Sequence, residues 1–128
     1  MFKSAHELVQ EAKKSVKECT TAELHERLAL PDALLVDVRE PDEYRQGHIA
    51  GSVNIPRGML EFKLSSEVAL QDLSRPFLVY CKSSGRSALA AVAMQSMGFA
   101  NVMSLAGGFD AWLGEQRPVA KPRDIPFQ

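Results

Sequence analysis

The stretch that most constrains the fold runs from residue 77 to residue 97 and reads FLVYCKSSGRSALAAVAMQSM. Its first four residues are apolar, favour β structure and follow Pro76, which is typical of a buried parallel strand. From Ala88 onward the residues favour a helix. Between the two lies a short loop of small, polar and basic residues that begins with Cys81. The sequence therefore predicts a cysteine in the turn between a strand and a helix.

The composition of this loop predicts a site for an anion. A tight loop that enters a helix N-terminus directs unpaired backbone N–H groups, and the positive end of the helix dipole, into the space that it encloses. Such a space favours a thiolate over a thiol, so Cys81 is predicted to be a nucleophile near neutral pH. Arg86 offers a forked donor for a substrate oxyanion, and Lys82 adds a mobile positive charge. A buried cysteine that only ends the strand is the alternative, but packing alone does not require such a loop.

Apolar runs and helix-forming segments alternate along the rest of the chain, which predicts an α/β fold. The other predicted helices cover residues 4–14, 21–30 and 41–44, a short helix or turn within 57–64, a surface helix within 65–76 and a closing helix from Phe109; the other strands cover residues 16–19, 34–38, 49–55 and 100–105. Gly107 and Gly108 are expected to let the chain pass close to the cysteine loop. Asp37 and Arg39 stand where a central strand ends, and α/β sheets place ligand sites at such ends.

Three ordered motifs resemble those of the rhodanese sulfurtransferase family. The loop CKSSGRS resembles the family's active-site loop, C-x-x-G-x-R-S. Residues 36–44, VDVREPDEY, and residues 47–56, GHIAGSVNIP, resemble its DVRE and GHIxGAxNIP segments, and LAGGFDAWL at residues 105–113 resembles its GGxxAW block. The resemblance spans roughly residues 34–119. It implies a rhodanese-like α/β domain with about five strands in a mainly parallel sheet that helices cover on both faces.

The resemblance implies a thiosulfate sulfurtransferase. Such an enzyme moves a sulfane sulfur from thiosulfate or a similar donor, through a persulfide on Cys81, to cyanide or a thiol. The residues that the resemblance assigns to substrate binding form the rest of the loop: Lys82, Ser83, Ser84, Gly85, Arg86 and Ser87. Asp37 and Arg39 are assigned to bracing the loop as a salt-bridged scaffold. No cofactor and no metal is required.

One loop position departs from the family pattern. The family usually has a glycine two places before the arginine, where this chain has Ser84, and the glycine falls at residue 85 instead. A positive φ at Ser84 would strain a serine. Because the length of the loop is kept, we expect small adjustments and retained function.

Length and charge limit the remaining possibilities. The chain of 128 residues is predicted to form one domain over 1–128, with an N-terminal helical extension over 1–16 and a mobile tail over 118–128 that prolines interrupt. A formal net charge of −1 argues against nucleic acid and anionic membranes as partners. No signal segment and no run of 18 apolar residues is present, so we expect a cytoplasmic protein.

Cys19 and His48 are the other candidates for chemistry. Cys19 is a candidate resolving thiol for Cys81, although a half-buried cysteine at the end of a strand is the favoured interpretation. The two cysteines form no metal-ligand pattern. His48 could shuttle protons, but the resemblance implies that it orders the segment before the third strand, and nothing pairs it with Cys81.

Three other functions stay open. A cysteine phosphatase or arsenate reductase uses a similar anion-binding loop, but usually has five residues between the cysteine and the arginine, whereas this chain has four. An anion-binding interaction module that transfers no sulfur typically lacks the cysteine. A redox or persulfide sensor would need Cys19 or a partner thiol near Cys81. The expected partners are a small-molecule sulfane donor and a thiol or cyanide acceptor, and a sulfur-accepting protein is a further candidate.

Overall fold

A computed structural model describes residues 1–121 of the chain. The helices are α1 (Ala5–Ser15), α2 (Thr21–Arg27), α3 (Pro41–Gln46), α4 (Leu60–Ser66), α5 (Gly85–Ser96) and α6 (Gly108–Gly114). The strands are β1 (Lys17–Cys19), β2 (Leu34–Asp37), β3 (His48–Ile49), β4 (Val53–Asn54), β5 (Phe77–Tyr80), β6 (Val102–Leu105) and β7 (Val119–Ala120). Two short 3-10 helices cover Arg57–Met59 and Val68–Leu70. Within residues 1–121, no helix combines the length and apolar character that crossing a bilayer requires.

Five strands form a parallel sheet in the order β1-β6-β5-β2-β4. The central strand β5 is buried along its whole length, as expected for a parallel strand with both faces covered. Its last residue, Tyr80, pairs with Asp37 at the end of β2. The loops that follow these two strands, and therefore Cys81 and Arg39, leave the sheet at the same edge. The predicted α/β fold with a five-stranded parallel sheet is confirmed.

Two apolar clusters cover opposite faces of the sheet, because side chains alternate along a strand. Phe77, Val79 and Cys81 pack into the cluster that includes residues of α4 and α5. Leu78 and Tyr80 pack into the other cluster, with residues of α2 and α6. The side chain of Cys81 thus lies on the same face of the sheet as α5, the helix that follows it.

Helix α1 packs against α5. Ser4 begins α1 through a capping box with Glu7, which satisfies backbone donors at the helix start. Ala12 is buried in this contact region, and the Gln95 side chain of α5 donates a hydrogen bond to the Ser15 carbonyl oxygen at 3.1 Å. The predicted N-terminal helix is therefore attached to the helix that carries the cysteine loop.

Two predicted elements differ in the structure. The strand expected over 49–55 is divided into β3 and β4 by a turn, and β3 leaves the main sheet to pair antiparallel with β7. The helix expected within 65–76 is reduced to the end of α4 and the short 3-10 helix.

Strand β7 lies within the predicted mobile tail. The Trp112 indole donates a hydrogen bond to the Pro118 carbonyl oxygen at 2.8 Å, which holds the chain beside β3 after α6 ends. Sequence analysis missed this strand because two residues carry no periodic pattern. The rest of the predicted tail, residues 122–128, lies outside the described residues.

A buried ion pair connects the end of β2 to the start of β3. Asp37 is 0% exposed and Arg39 is 4% exposed. Arg39 Nη2 donates to Asp37 Oδ2 at 2.8 Å and to the Gly47 carbonyl oxygen at 2.7 Å, and the guanidinium lies 4.4 Å from the centroid of the Phe109 ring. The predicted salt bridge is present. Because Phe109 belongs to α6, the pair also contacts the helix that supports the cysteine loop.

Substituting Arg39→Leu should lower the free energy of unfolding by about 3–5 kcal/mol, because the Asp37 carboxylate would stay buried without its partner. Urea denaturation measures this loss. Arg45→Leu is the matched control, since Arg45 pairs with Asp42 at an exposed position where a salt bridge contributes little. Equal losses in the two variants would contradict the importance of burial here.

Candidate active site

Cys81 lies at the end of β5, beneath the first turn of α5, and is 1% exposed. Its Sγ accepts a hydrogen bond from the Ser87 backbone N–H at 3.4 Å and lies 3.5 Å from Ser87 Oγ. Ser87 Oγ also lies 2.8 Å from Ser104 Oγ and donates to the Ser84 carbonyl oxygen at 3.3 Å. The sulfur therefore contacts the backbone N–H and the hydroxyl of Ser87 at the start of α5, and this N–H is one of the several loop N–H groups that the sequence predicted.

The loop reaches this geometry without left-handed backbone. Ser84 has φ −162° and ψ −2°, and no residue from 81 to 87 has a positive φ. The serine at the family's glycine position therefore does not carry the strain of a positive φ. The Ser84 side chain does not cap α5, and its Oγ instead accepts a hydrogen bond from Lys13 Nζ at 2.7 Å. Sequence analysis missed Lys13, which lies 71 residues away along the chain.

The start of α6 supports the other side of the loop. The Phe109 N–H donates to the Cys81 carbonyl oxygen at 2.8 Å, and the Asp110 N–H donates to the Lys82 carbonyl oxygen at 3.0 Å. Gly108 has φ +58°, and a Cβ there would lie 2.2 Å from the Ser83 carbonyl oxygen and 2.6 Å from those of Cys81 and Lys82. Only glycine fits this position, so the predicted close passage is present at Gly108, whereas a Cβ on Gly107 would lie 2.7 Å from Ala111 Cβ of the same helix and not against the loop.

The two loop cations already have carboxylate partners. Arg86 forms a bidentate pair with Glu43 of α3, with Nη1–Oε1 at 2.7 Å and Nη2–Oε2 at 3.1 Å. Lys82 Nζ lies 2.9 and 3.0 Å from the Asp110 carboxylate oxygens. Hydrogen bonding from Arg86 lowers the pKa of Glu43 to about 2, so this carboxylate is ionised at neutral pH. An anionic substrate that binds here therefore contacts two cations, Arg86 and Lys82, that are already paired with carboxylates.

Sequence analysis missed both carboxylates, although each lies within a quoted motif. Glu43 belongs to VDVREPDEY and Asp110 to LAGGFDAWL. The presence of an acidic residue in each of these two motifs was the feature of the sequence that could have indicated the two carboxylates.

A pocket of about 300 Å³ opens beside the loop. Its lining includes Arg39, Glu43, Lys82, Phe109 and Asp110. The predicted supporting residue Arg39 and the predicted binding residue Lys82 therefore share one cavity. The size and the charged lining suit a small polar or ionic molecule.

Cys19 is not brought near Cys81. Cys19 is 2% exposed and packs in the cluster of α2 and α6, whereas Cys81 packs in the cluster on the opposite face of the sheet. Burial raises the pKa of the Cys19 thiol to about 11, which keeps it protonated at neutral pH. These observations favour a structural role for Cys19 over a resolving thiol.

His48 contacts α3. Its Nδ1 lies 2.9 Å from the Tyr44 carbonyl oxygen, and its ring stacks on that of Tyr44 with centroids 3.7 Å apart. These contacts orient the start of β3, in agreement with the ordering role that the resemblance implied. In the part of the chain that the structure describes, no group of three or more His, Cys, Asp or Glu residues could hold a metal ion.

Known proteins share both this fold and this sequence pattern. A family model described as a rhodanese-like domain matches residues 20–115. A sulfurtransferase from Allochromatium vinosum is 32% identical over 108 residues, which cover 84% of this chain and 97% of that protein. The thiosulfate sulfurtransferase GlpE of Stutzerimonas stutzeri is 38% identical over 80 residues, which cover 62% of this chain and 70% of GlpE.

A solved structure from Rhodopseudomonas palustris superposes with a TM-score of 0.84 at 36% identity, covering 94% of this chain and 96% of that one. That protein is described as one of unknown function and a possible tyrosine phosphatase. The family model covers most of the present chain and includes the cysteine loop, the buried ion pair and α6. The chain therefore belongs to the rhodanese-like family, and sulfurtransferases are among its relatives.

Proposed function

We propose that this protein is a sulfurtransferase that carries a sulfane sulfur on Cys81 as a persulfide. The observation that supports this most directly is the position of Cys81 Sγ, which accepts a hydrogen bond from the Ser87 N–H at the start of α5. Backbone donors at a helix N-terminus stabilise an anionic sulfur without any cofactor. The sulfurtransferases among the relatives add support.

In the first step, the Cys81 thiolate attacks the outer sulfur of thiosulfate. A Cys81 S–S bond forms, the bond between the two sulfur atoms of thiosulfate breaks, and its electron pair leaves with sulfite. The terminal sulfur of the persulfide keeps one negative charge, so no proton or redox partner is needed. Arg86 and Lys82 are the cations that would stabilise the charge of the departing sulfite.

In the second step, a thiophilic acceptor attacks the terminal sulfur. Cyanide would form a carbon–sulfur bond and leave as thiocyanate, and the electron pair of the broken S–S bond would return to the Cys81 thiolate. A thiol of a small molecule or of an acceptor protein could take the sulfur in the same way. Because both cysteines are free thiols in the structure, a reducing compartment such as the cytoplasm suits this chemistry.

Phosphate-ester hydrolysis is the competing function, because the Rhodopseudomonas palustris structure is described as a possible tyrosine phosphatase. The loop has four residues between Cys81 and Arg86, which is shorter than the usual phosphatase loop. The smaller loop suits one sulfur atom better than a phosphate group. The alternative of a redox sensor requires a partner thiol, since Cys19 packs on the other face of the sheet.

Incubation of the wild-type protein with thiosulfate should add about 32 Da, the mass of one sulfur atom, as measured by intact-protein mass spectrometry. Cyanide should remove this mass and release thiocyanate. Cys81→Ser should gain nothing, whereas Cys19→Ser should behave like the wild type. A failure to gain mass with any sulfane donor would contradict sulfur transfer, and Cys81-dependent hydrolysis of p-nitrophenyl phosphate would instead favour a phosphatase.

Substituting Glu43→Gln should lower KM for thiosulfate by about three- to tenfold, because the Glu43 carboxylate occupies the donors of Arg86 that the anion requires. Steady-state thiocyanate formation measures KM and kcat. Asp42→Asn removes the same charge from the same helix but leaves Arg86 paired, and should leave KM unchanged. An unchanged or higher KM in Glu43→Gln would show that the pair only supports the loop.

Substituting Gly108→Ala should lower the free energy of unfolding by about 2–4 kcal/mol, because a Cβ would collide with three loop carbonyl oxygens. Sulfur transfer should fall by about tenfold or more, since the loop must move away from α6. Urea denaturation and kcat/KM measure the two effects. Gly114→Ala is the matched control at the other end of α6, where a Cβ meets no atom within 4 Å. Normal transfer by Gly108→Ala would refute the supporting role of this contact.

A further inference from the structure

Helix α1 contacts the cysteine loop at Ser84, where the loop departs from the C-x-x-G-x-R pattern, and at the neighbouring Gly85. Lys13 Nζ donates a hydrogen bond to Ser84 Oγ at 2.7 Å in a partly buried contact. A Cβ on Gly85 would lie 3.5 Å from Val9 Cγ2, which places Val9 against the first turn of α5. The family model begins at residue 20, so α1 lies outside the part of the chain that it matches. A segment before the matched region thus contacts the catalytic loop.

The positive charge of Lys13 has a different kind of partner from the charges of the two loop cations. Arg86 and Lys82 each pair with a carboxylate, whereas the partner of Lys13 is a neutral hydroxyl. Among residues 1–121, no carboxylate lies within salt-bridge distance of Lys13. Glu11 on the same helix is paired with Lys3. Lys13 therefore brings to the loop at Ser84 a positive charge that no carboxylate of the described residues pairs with.

The Ser84 hydroxyl adds a second donor at the same place. Because Ser84 Oγ accepts from Lys13, its own hydrogen is directed elsewhere, and among residues 1–121 the hydroxyl donates no hydrogen bond to another protein group. An anion beside Ser84 could accept from both groups. The packing of α1 on α5 holds the backbone of Lys13 beside the loop, and the hydrogen bond to Ser84 Oγ directs its ammonium group there.

We propose that Lys13 is a positioning and specificity residue for the sulfur donor, and that with Ser84 it favours dianionic donors over monoanionic ones. The proposal rests on the proposed sulfur transfer at Cys81. An interaction with a fixed positive charge grows in proportion to the charge of the ligand and weakens with added salt. Thiosulfate carries two negative charges and benzenethiosulfonate carries one, so the two donors report on this charge dependence.

The test compares KM and kcat for both donors in the wild type, Lys13→Gln, Lys13→Arg and Lys14→Gln. Lys13→Gln should raise KM for thiosulfate by about three- to tenfold, raise KM for benzenethiosulfonate by less, and leave kcat within about twofold. Lys13→Arg should restore most of the affinity. Lys14→Gln removes the same charge from the next residue of α1 and should match the wild type. Sodium chloride at high concentration should reduce the difference between the wild type and Lys13→Gln.

A double-mutant cycle with Ser84→Ala examines whether the two residues act together. Ser84→Ala should raise KM for thiosulfate, and the double variant Lys13→Gln/Ser84→Ala should be hardly worse than Lys13→Gln alone. Additive losses would overturn the joint role. Equal effects on both donors, an effect on kcat alone, or the same loss in Lys14→Gln would overturn the proposal for Lys13.

A separate binding measurement distinguishes failure of this proposal from failure of the proposed function. Calorimetric titration of thiosulfate into Cys81→Ser detects binding without transfer. The double variant Cys81→Ser/Lys13→Gln should bind with a Kd about three- to tenfold higher. If the wild type transfers no sulfur but this difference is found, the sulfurtransferase assignment fails and the anion-binding role of Lys13 stands. If Cys81→Ser binds no thiosulfate, or both variants bind equally, the proposal for Lys13 is wrong.

Discussion

The geometry of the site depends on a contact that only glycine permits, between Gly108 and the first carbonyl groups of the cysteine loop. Two N–H groups at the start of α6 bind the carbonyl oxygens of Cys81 and Lys82, and the absence of a side chain at Gly108 lets the backbones come this close. The Ser87 N–H lies in the first turn of α5, where it has no acceptor within the helix, and it binds Sγ. One helix thus fixes the backbone of the loop, while another supplies the donor to the sulfur.

The ion pairs around the loop also affect how an anion can bind. Arg86 and Lys82, the cations that we propose bind an anionic donor, are paired with Glu43 and Asp110. A donor must therefore replace a carboxylate or join an existing pair. Lys13 is the exception, because its partner is a hydroxyl. We therefore propose that α1 supplies an anion with a positive charge that is unpaired within residues 1–121, beside the paired cations of the loop itself.

Much of the fold and the centre of the site could be predicted from local sequence, since a buried strand, a small polar loop and a helix each have a local pattern. Cys81 and the salt bridge of Asp37 with Arg39 were found in this way. The contacts between Glu43 and Arg86 and between Lys13 and Ser84 join residues 43 and 71 positions apart, which no local pattern reports. Strand β7 was missed for a related reason, because its two residues are ordered by β3 and not by their own periodicity.

The pair of Arg86 and Glu43 also makes the stability of the site depend on pH in the acidic range. Because the pKa of Glu43 is lowered from 4.5 to about 2, the pair's contribution to stability is complete above about pH 4.5 and is lost as the pH falls toward 2. At neutral pH the ionised Glu43 carboxylate therefore competes with any anionic donor for the Arg86 guanidinium. The preference for a donor then depends on the difference between the free energies with which the Arg86 guanidinium binds the donor and binds the Glu43 carboxylate. A donor that carries more negative charge than a carboxylate gains most from displacing Glu43, and this favours dianions at the same loop where Lys13 adds its charge.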